Sequence, residues 1–267
     1  MRIGIFDSGI GGLGVVTELI NKTAPHASIL YFADTAHFPY GDKSKSDVVS
    51  YSIKITDFLL QNGCDIIVIA CVTASSVVTD VLKAYVPSGV KIINAIDPTV
   101  SHIKKKFSDC TIGLIGTQLT VKSMVFEKKI KALNQGIVVR SVATPQLAPI
   151  IEDTIIGETT SPYKAYIKSC LNIEFLDSIK ALILGCTHYN FVSLDINEYY
   201  KCSIPVIDCG FQLALQVTDL LDDYNLITSN TSKKVELKFF ASKFTPAFAE
   251  KANIICKNEY SIEEILI

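Results

Sequence analysis

Short runs of β-branched and aliphatic residues recur along this chain with helix-period stretches between them, and that alternation restricts the fold more than any other feature. The strand-like runs lie at 3–6, 29–33, 66–70, 91–95, 111–115, 137–141, 181–184, 205–207 and 235–240; helix-period apolar residues fill 47–60, 75–85, 122–133, 163–171 and 211–221. Strands alternating with helices predict an α/β protein with mostly parallel sheets, because a parallel pair needs a crossover long enough to hold a helix. Helices would then cover both sheet faces. The stretch 225–234 reads as a polar surface loop before the last strand.

The pattern also repeats. Arg2-Ile3-Gly4-Ile5-Phe6 resembles Thr111-Ile112-Gly113-Leu114-Ile115, and Ile67-Val68-Ile69-Ala70-Cys71-Val72-Thr73 resembles Leu182-Ile183-Leu184-Gly185-Cys186-Thr187. Gly4 lies 67 residues before Cys71, and Gly113 lies 73 before Cys186. Similar spacing predicts two related α/β domains, 1–97 with 208–267 and 98–207, each placing one cysteine just after a buried strand. In open α/β sheets that carboxyl edge is where ligands bind.

Two opposed thiols suit one kind of chemistry. Inverting a carbon that carries an acidic proton needs a base on one face and an acid on the other, and a cysteine can fill either role near neutral pH. Thr73 and Thr187 follow the cysteines closely and offer hydroxyls and turn amides to a carboxylate. Asp7, Glu152 and His188 are the charged candidates for tuning the thiols. Taken singly, each has a plainer reading: a helix cap for Asp7, a solvated helix start for Glu152 and a loop histidine for His188. The other six cysteines read as small core residues.

A competing motif is Gly9-Ile10-Gly11-Gly12-Leu13-Gly14, which fits G-x-G-x-x-G after a strand, with Asp34 ending the next strand. That is a dinucleotide fingerprint in outline. Against it, Asp7 and Ser8 intervene between strand and glycines and put a carboxylate where pyrophosphate would lie. It also leaves the paired cysteines unexplained.

Composition excludes other classes. Net charge is -2, which gives no electrostatic reason to hold nucleic acid or an anionic membrane. Lys104-Lys105-Lys106 reads as a solvated helix face. No apolar run approaches a membrane span, and Asp7 interrupts the first apolar run before a signal-peptide core could form, so a cytoplasmic protein with eight reduced cysteines is expected. Cys186-x-His188 is too little for a zinc site. Neither metal nor organic cofactor is expected, and a homodimer is allowed.

The chain resembles the glutamate racemases in Asp7-Ser8-Gly9-Ile10-Gly11-Gly12-Leu13, Phe38-Pro39-Tyr40-Gly41, Ala70-Cys71-Val72-Thr73-Ala74-Ser75, Gly113-Leu114-Ile115-Gly116-Thr117 and Leu184-Gly185-Cys186-Thr187-His188-Tyr189. These motifs run in family order over nearly the whole chain. The related aspartate racemases share the two cysteines but differ in the first loop and after the second cysteine. The resemblance implies two pseudo-symmetric α/β domains with glutamate between them, no pyridoxal phosphate, and supply of D-glutamate for peptidoglycan. It implies that Cys71 deprotonates D-glutamate and Cys186 L-glutamate, assisted by Asp7, Glu152 and His188. Ser8, Pro39, Tyr40, Gly41, Val72, Thr73, Thr117 and Thr187 fall at positions that hold the substrate or shape its site.

Two positions depart from the family pattern: Val72 replaces an asparagine, and Asn190 a proline. Asn190 lies beyond the chemistry. Val72 can neither donate nor accept a hydrogen bond where the family's asparagine contacts substrate, a loss worth about 1 to 3 kcal/mol. It leaves two other readings open: a racemase for aspartate or another acidic amino acid, and a racemase-like protein retained to bind a partner.

Overall fold

The computed structural model describes residues 1–23, 28–154, 162–223, 236–257 and 259–267. In chain order the first part forms β1 (Arg2–Asp7), α1 (Leu13–Thr23), β2 (Ser28–Ala33), α2 (Lys45–Gln61), β3 (Ile66–Ile69), α3 (Val72–Tyr85), β4 (Lys91–Asn94) and α4 (Ile96–Lys106). There follow β5 (Thr111–Gly116), α5 (Gln118–Ser123), α6 (Val125–Lys131), β6 (Val138–Ala143), α7 (Leu147–Asp153), α8 (Pro162–Leu171), β7 (Ala181–Gly185), α9 (Ser193–Tyr199) and β8 (Val206–Asp208). The chain closes with α10 (Cys209–Asp223), β9 (Leu237–Ala241), α11 (Pro246–Ile255) and β10 (Ser261–Glu264).

The strands make two sheets, β10-β9-β2-β1-β3-β4 and β6-β5-β7-β8, and among the described residues all their pairings are parallel. The order β2-β1-β3-β4 matches β6-β5-β7-β8 strand for strand. Thus the repeat seen in the residues is a repeat of topology: β1 corresponds to β5 and β3 to β7. The C-terminal segment returns to the first sheet, where Ile29 pairs with Leu237. The expected loop at 225–234, and Val235, lie outside the described residues.

Alternation along the strands sorts side chains into layers. Ile3 and Ile5 of β1 enter a cluster that runs through both halves, joining Val68 and Ala70 to Ile112, Leu114 and Ile183 through α1, α4 and α10. Phe6 points the other way, with Ile67, Ile69 and the inner faces of α2 and α3. Leu182 and Leu184 face a third cluster under α7 and α8. Each fully buried Leu, Ile or Phe contributes about 1.5 to 3 kcal/mol, and the shared cluster makes the two sheets one body along their seam.

Two expectations change. The helix expected at 122–133 is divided, because Met124 adopts a left-handed conformation (φ 53°) between α5 and α6. The helix expected at 75–85 begins at Val72, where the Cys71 side chain accepts a hydrogen bond from Ala74 N and caps it.

Candidate active site

The strand ends of the two sheets meet. After β3 comes Cys71, its Sγ 3.5 Å from the donating Ala74 N and 3.9 Å from Ser8 Oγ. After β7 comes Cys186, which leads into a 3-10 segment, Thr187–Val192. Both thiols are buried. They therefore occupy corresponding positions of the two sheets.

The glycine loop after β1 is the surface on which the second half rests. Asp7 is fully buried and accepts from Gly9 N at 3.0 Å and from Thr187 Oγ1 at 3.0 Å. Tyr31 donates its hydroxyl to Gly9 O at 2.5 Å. A Cβ at Gly11 would stand 2.3 Å from Thr187 Oγ1 and 2.7 Å from His188 Nδ1. The glycines thus admit another segment of the chain, and the dinucleotide reading fails on this point. It also fails at Asp34, whose buried carboxylate is engaged by Tyr40 Oη (2.6 Å), Ser242 Oγ (2.6 Å) and His37 Nδ1 (2.8 Å).

Around Cys186 the polar groups form a relay. His188 Nδ1 lies 3.8 Å from Cys186 Sγ, and its Nε2 lies 2.5 Å from Glu152 Oε2. Glu152 Oε2 also accepts from Ile10 N at 3.4 Å. Glu152 sits in the last turn of α7, turned inward, not at a solvated helix start. Opposite this relay, Thr73 and Thr117 hydroxyls meet at 2.9 Å across the two halves, with Thr120 Oγ1 3.0 Å from Thr117 Oγ1. Gly41 lies against this cluster, since a Cβ there would come within 2.7 Å of Thr117 Cβ.

Tyr40 gives its hydroxyl to Asp34, within the first half. Pro39 is half-buried ahead of the turn at Tyr40–Asp42. Val72 is fully buried in the apolar cluster shared by the two halves, so its isopropyl group is packing. Sequence reasoning missed Thr120 and Phe38. The Phe38 ring centroid lies 5.3 Å from that of His188. Thr120 had no signal beyond its spacing from Thr117.

Burial shapes the protonation of the site. It pushes the Cys71 thiol well above the usual range, Asp7 adds to this, and the Ala74 amide only partly opposes it. Burial likewise raises Asp7 to about 6, against the lowering effects of His188, the Gly9 amide and the Thr187 hydroxyl. For His188, burial favours the neutral ring, but hydrogen bonds to Cys186 and Glu152, and their charges, outweigh it and hold the ring well above the ordinary histidine value. At neutral pH the site therefore presents a protonated thiol at Cys71 and a proton-bearing imidazole beside Cys186. Among the described residues no group of three or more His, Cys, Asp or Glu side chains is arranged to hold a metal ion, and no helix is long and apolar enough to cross a membrane.

The chain is similar to known racemases in sequence and in fold. Residues 13–216 match the model of the Asp/Glu/Hydantoin racemase family. A glutamate racemase of Streptococcus pyogenes serotype M2 is 33% identical over 265 residues, spanning 99% of this chain and 98% of its own. The crystal structure of glutamate racemase isoform RacE1 from Bacillus anthracis is similar with a TM-score of 0.89 at 28% identity, over 99% of this chain and 97% of that one. The glutamate racemase of Francisella tularensis, solved in complex with D-glutamate, gives 0.87 at 28% identity, again over 99% and 97%. The chain belongs to the Asp/Glu/hydantoin racemase family of amino-acid isomerases.

Proposed function

We propose that this protein interconverts L- and D-glutamate by a two-base mechanism that uses no cofactor, and that it supplies D-glutamate for peptidoglycan in the cytoplasm. The observation that carries the reading is the correspondence of Cys71 and Cys186: each follows the matching strand of two sheets with the same order, and both sit at the seam. The two domains are 1–97 with 208–267, and 98–207, with glutamate held between them. The relatives named above support glutamate as the substrate.

In the L-to-D direction, the Cys186 sulfur, as thiolate, takes the α-proton of L-glutamate. The Cys71 thiol, kept protonated by burial, delivers its proton to the opposite face. The product leaves with the two sulfurs in exchanged protonation states. Resetting them moves one proton off Cys186 and one onto Cys71, which the reverse turnover or exchange with solvent supplies; His188 beside Cys186 and Asp7 beside Cys71 set how readily each sulfur holds its proton. The hydroxyls of Ser8, Thr73, Thr117 and Thr187 and the backbone of Pro39, Tyr40 and Gly41 hold the substrate's charged groups, and the α3 N-terminus adds its partial positive charge.

Cys71→Ala and Cys186→Ala test this. Each variant is expected to abolish racemisation followed by circular dichroism, because a one-sided site removes a proton but cannot return one from the far face. Near wild-type turnover in either variant overturns the mechanism. A panel of L- and D-amino acids then fixes the substrate.

A further inference from the structure

His188 and Glu152 form the most consequential polar pair of the site, and Phe38 lies against it. The ring belongs to the first half, in the loop between β2 and the turn at Tyr40–Asp42, yet it packs against the apolar cluster of the second half. Its centroid is 5.3 Å from that of His188 at an interplanar angle of 40°. A Cβ at Gly9 would meet Glu152 Oε2 at 3.1 Å, Phe38 Cδ2 at 3.2 Å and His188 Nε2 at 3.4 Å, so the three side chains converge on one spot. Glu152 keeps only 17% of its side-chain surface exposed.

The loop that presents Phe38 is locked from beneath. Asp34 Oδ2 accepts from Tyr40 Oη at 2.6 Å, and Asp34 Oδ1 from Ser242 Oγ at 2.6 Å. His37 Nδ1 lies 2.8 Å from Asp34 Oδ1 while its ring stacks on Tyr51 at 3.8 Å. Ser242 Oγ accepts from Ala36 N at 2.9 Å, and Thr35 exchanges hydrogen bonds with the backbone of Lys243. Residues on both sides of Phe38 are thereby tied to the end of β9. Such a lock contributes rigidity, since it leaves the loop few ways to withdraw the ring.

We propose that Phe38 is a positioning residue that seals the His188–Glu152 pair from water, and that the Asp34 lock holds it in place. The inference rests on the reading of His188 as the group that serves Cys186. Its physics is direct. Burial acts on His188 in one direction, its hydrogen bonds to Cys186 and Glu152 and their charges act in the other, and the bonds and charges win; admitting water weakens both sides, so the ring returns toward its ordinary value from above. The groups that face His188 are Glu152 from α7, Cys186 from the end of β7 and Asp7 from the end of β1.

The test needs no substrate. The chain has four histidines, so 15N-histidine spectra, with His188 assigned by its loss in His188→Gln, follow the ring through a pH titration. In Phe38→Ala the His188 midpoint is expected to fall by about one pH unit, in Phe38→Val by less, and in Phe38→Leu hardly at all. Asp34→Asn, with Phe38 intact, is expected to reproduce part of the fall. The alkaline limb of kcat/KM for glutamate should move with the midpoint. An unmoved midpoint in folded Phe38→Ala overturns the proposal; if that variant does not fold, an unmoved midpoint in Phe38→Val does so. A wild type that fails to racemise glutamate overturns the substrate reading instead, and the titration still decides the role of Phe38.

Discussion

Gly11 is where the packing of the two halves can be tested most sharply. In Gly11→Ala the new methyl would stand 2.3 Å from Thr187 Oγ1, 2.8 Å from Thr187 Cβ and 2.7 Å from His188 Nδ1, where ordinary contact begins at 3.4 Å. The Thr187–His188 segment must therefore recoil by about 1 Å. Overpacking of this kind costs about 1 to 3 kcal/mol. The recoil also breaks the 3.0 Å hydrogen bond from Thr187 to buried Asp7, a bond to a charged group worth about 1.5 to 3 kcal/mol. Together these predict a loss of roughly 3 to 5 kcal/mol, seen as a fall in Tm on the order of 10 °C.

The effect on turnover is larger than stability alone requires, because a 1 Å displacement of catalytic groups costs about a hundredfold. Since L- and D-glutamate have equal free energies in water, kcat/KM must fall by the same factor in both directions. Gly14→Ala is the control. Gly14 lies in α1, and its added Cβ would meet only Asn190 Nδ2, at 3.2 Å. Alanine in a helix gains about 0.5 to 1 kcal/mol over glycine, so Tm should hold or rise and activity persist. Wild-type kcat/KM in folded Gly11→Ala, or equal damage in Gly14→Ala, would refute the argument that the loop is a docking surface.

Three further outcomes follow from the site. Asp7, raised to about 6 by burial, binds its proton more tightly folded than unfolded, so it should make stability fall as pH rises from about 4 to 6; Asp7→Asn should flatten that slope in Tm against pH. Glu152→Gln keeps the shape beside His188 but removes the charge that helps hold its proton, and kcat/KM should drop about tenfold to a hundredfold, equally for both enantiomers. Val72→Asn places an amide inside an apolar cluster; a buried amide without a partner costs about 1 to 3 kcal/mol, so Tm should fall and the KM for glutamate should not improve, whereas a lowered KM would show that the amide reaches the substrate.

Much of this was legible in the residues because it depends on local pattern. Buried parallel strands announce themselves as short apolar runs, and a cysteine placed twice after such a run marks two related strand ends. What the residues could not disclose depends on which segments meet. Gly9-Ile10-Gly11-Gly12-Leu13-Gly14 declares that something approaches the backbone closely, and a pyrophosphate or a neighbouring loop satisfies that demand equally; only the contact with Thr187 and His188 decides. Asp34 has the same ambiguity until Tyr40 and Ser242 are found on its oxygens. β10 escaped notice because Ser261-Ile262-Glu263-Glu264 is a largely exposed edge strand with one half-buried apolar residue. Phe38 carried no periodicity, and its role depends on a ring crossing from one half to the other.

The repeat of topology also explains why the two thiols are alike in place and unlike in surroundings. Matching strand order puts Cys71 and Cys186 at corresponding ends of two sheets, the placement that two bases on opposite faces of one carbon require. In either direction one sulfur starts with a proton and the other without, and each turnover exchanges those states, so each surrounding must serve both forms of its sulfur. The loops break the symmetry. Cys71 caps a long helix beside Ser8 and the carboxyl of Asp7 in a fully buried niche, which keeps its proton on. Cys186 instead opens a 3-10 segment whose second residue, His188, reaches back to the sulfur and out to Glu152. On the proposed mechanism, the fold supplies the opposed positions and the sequence after each strand supplies different neighbours, Ser8 for Cys71 and His188 with Glu152 for Cys186, so exchanging the two loops should cost activity even if both cysteines remain.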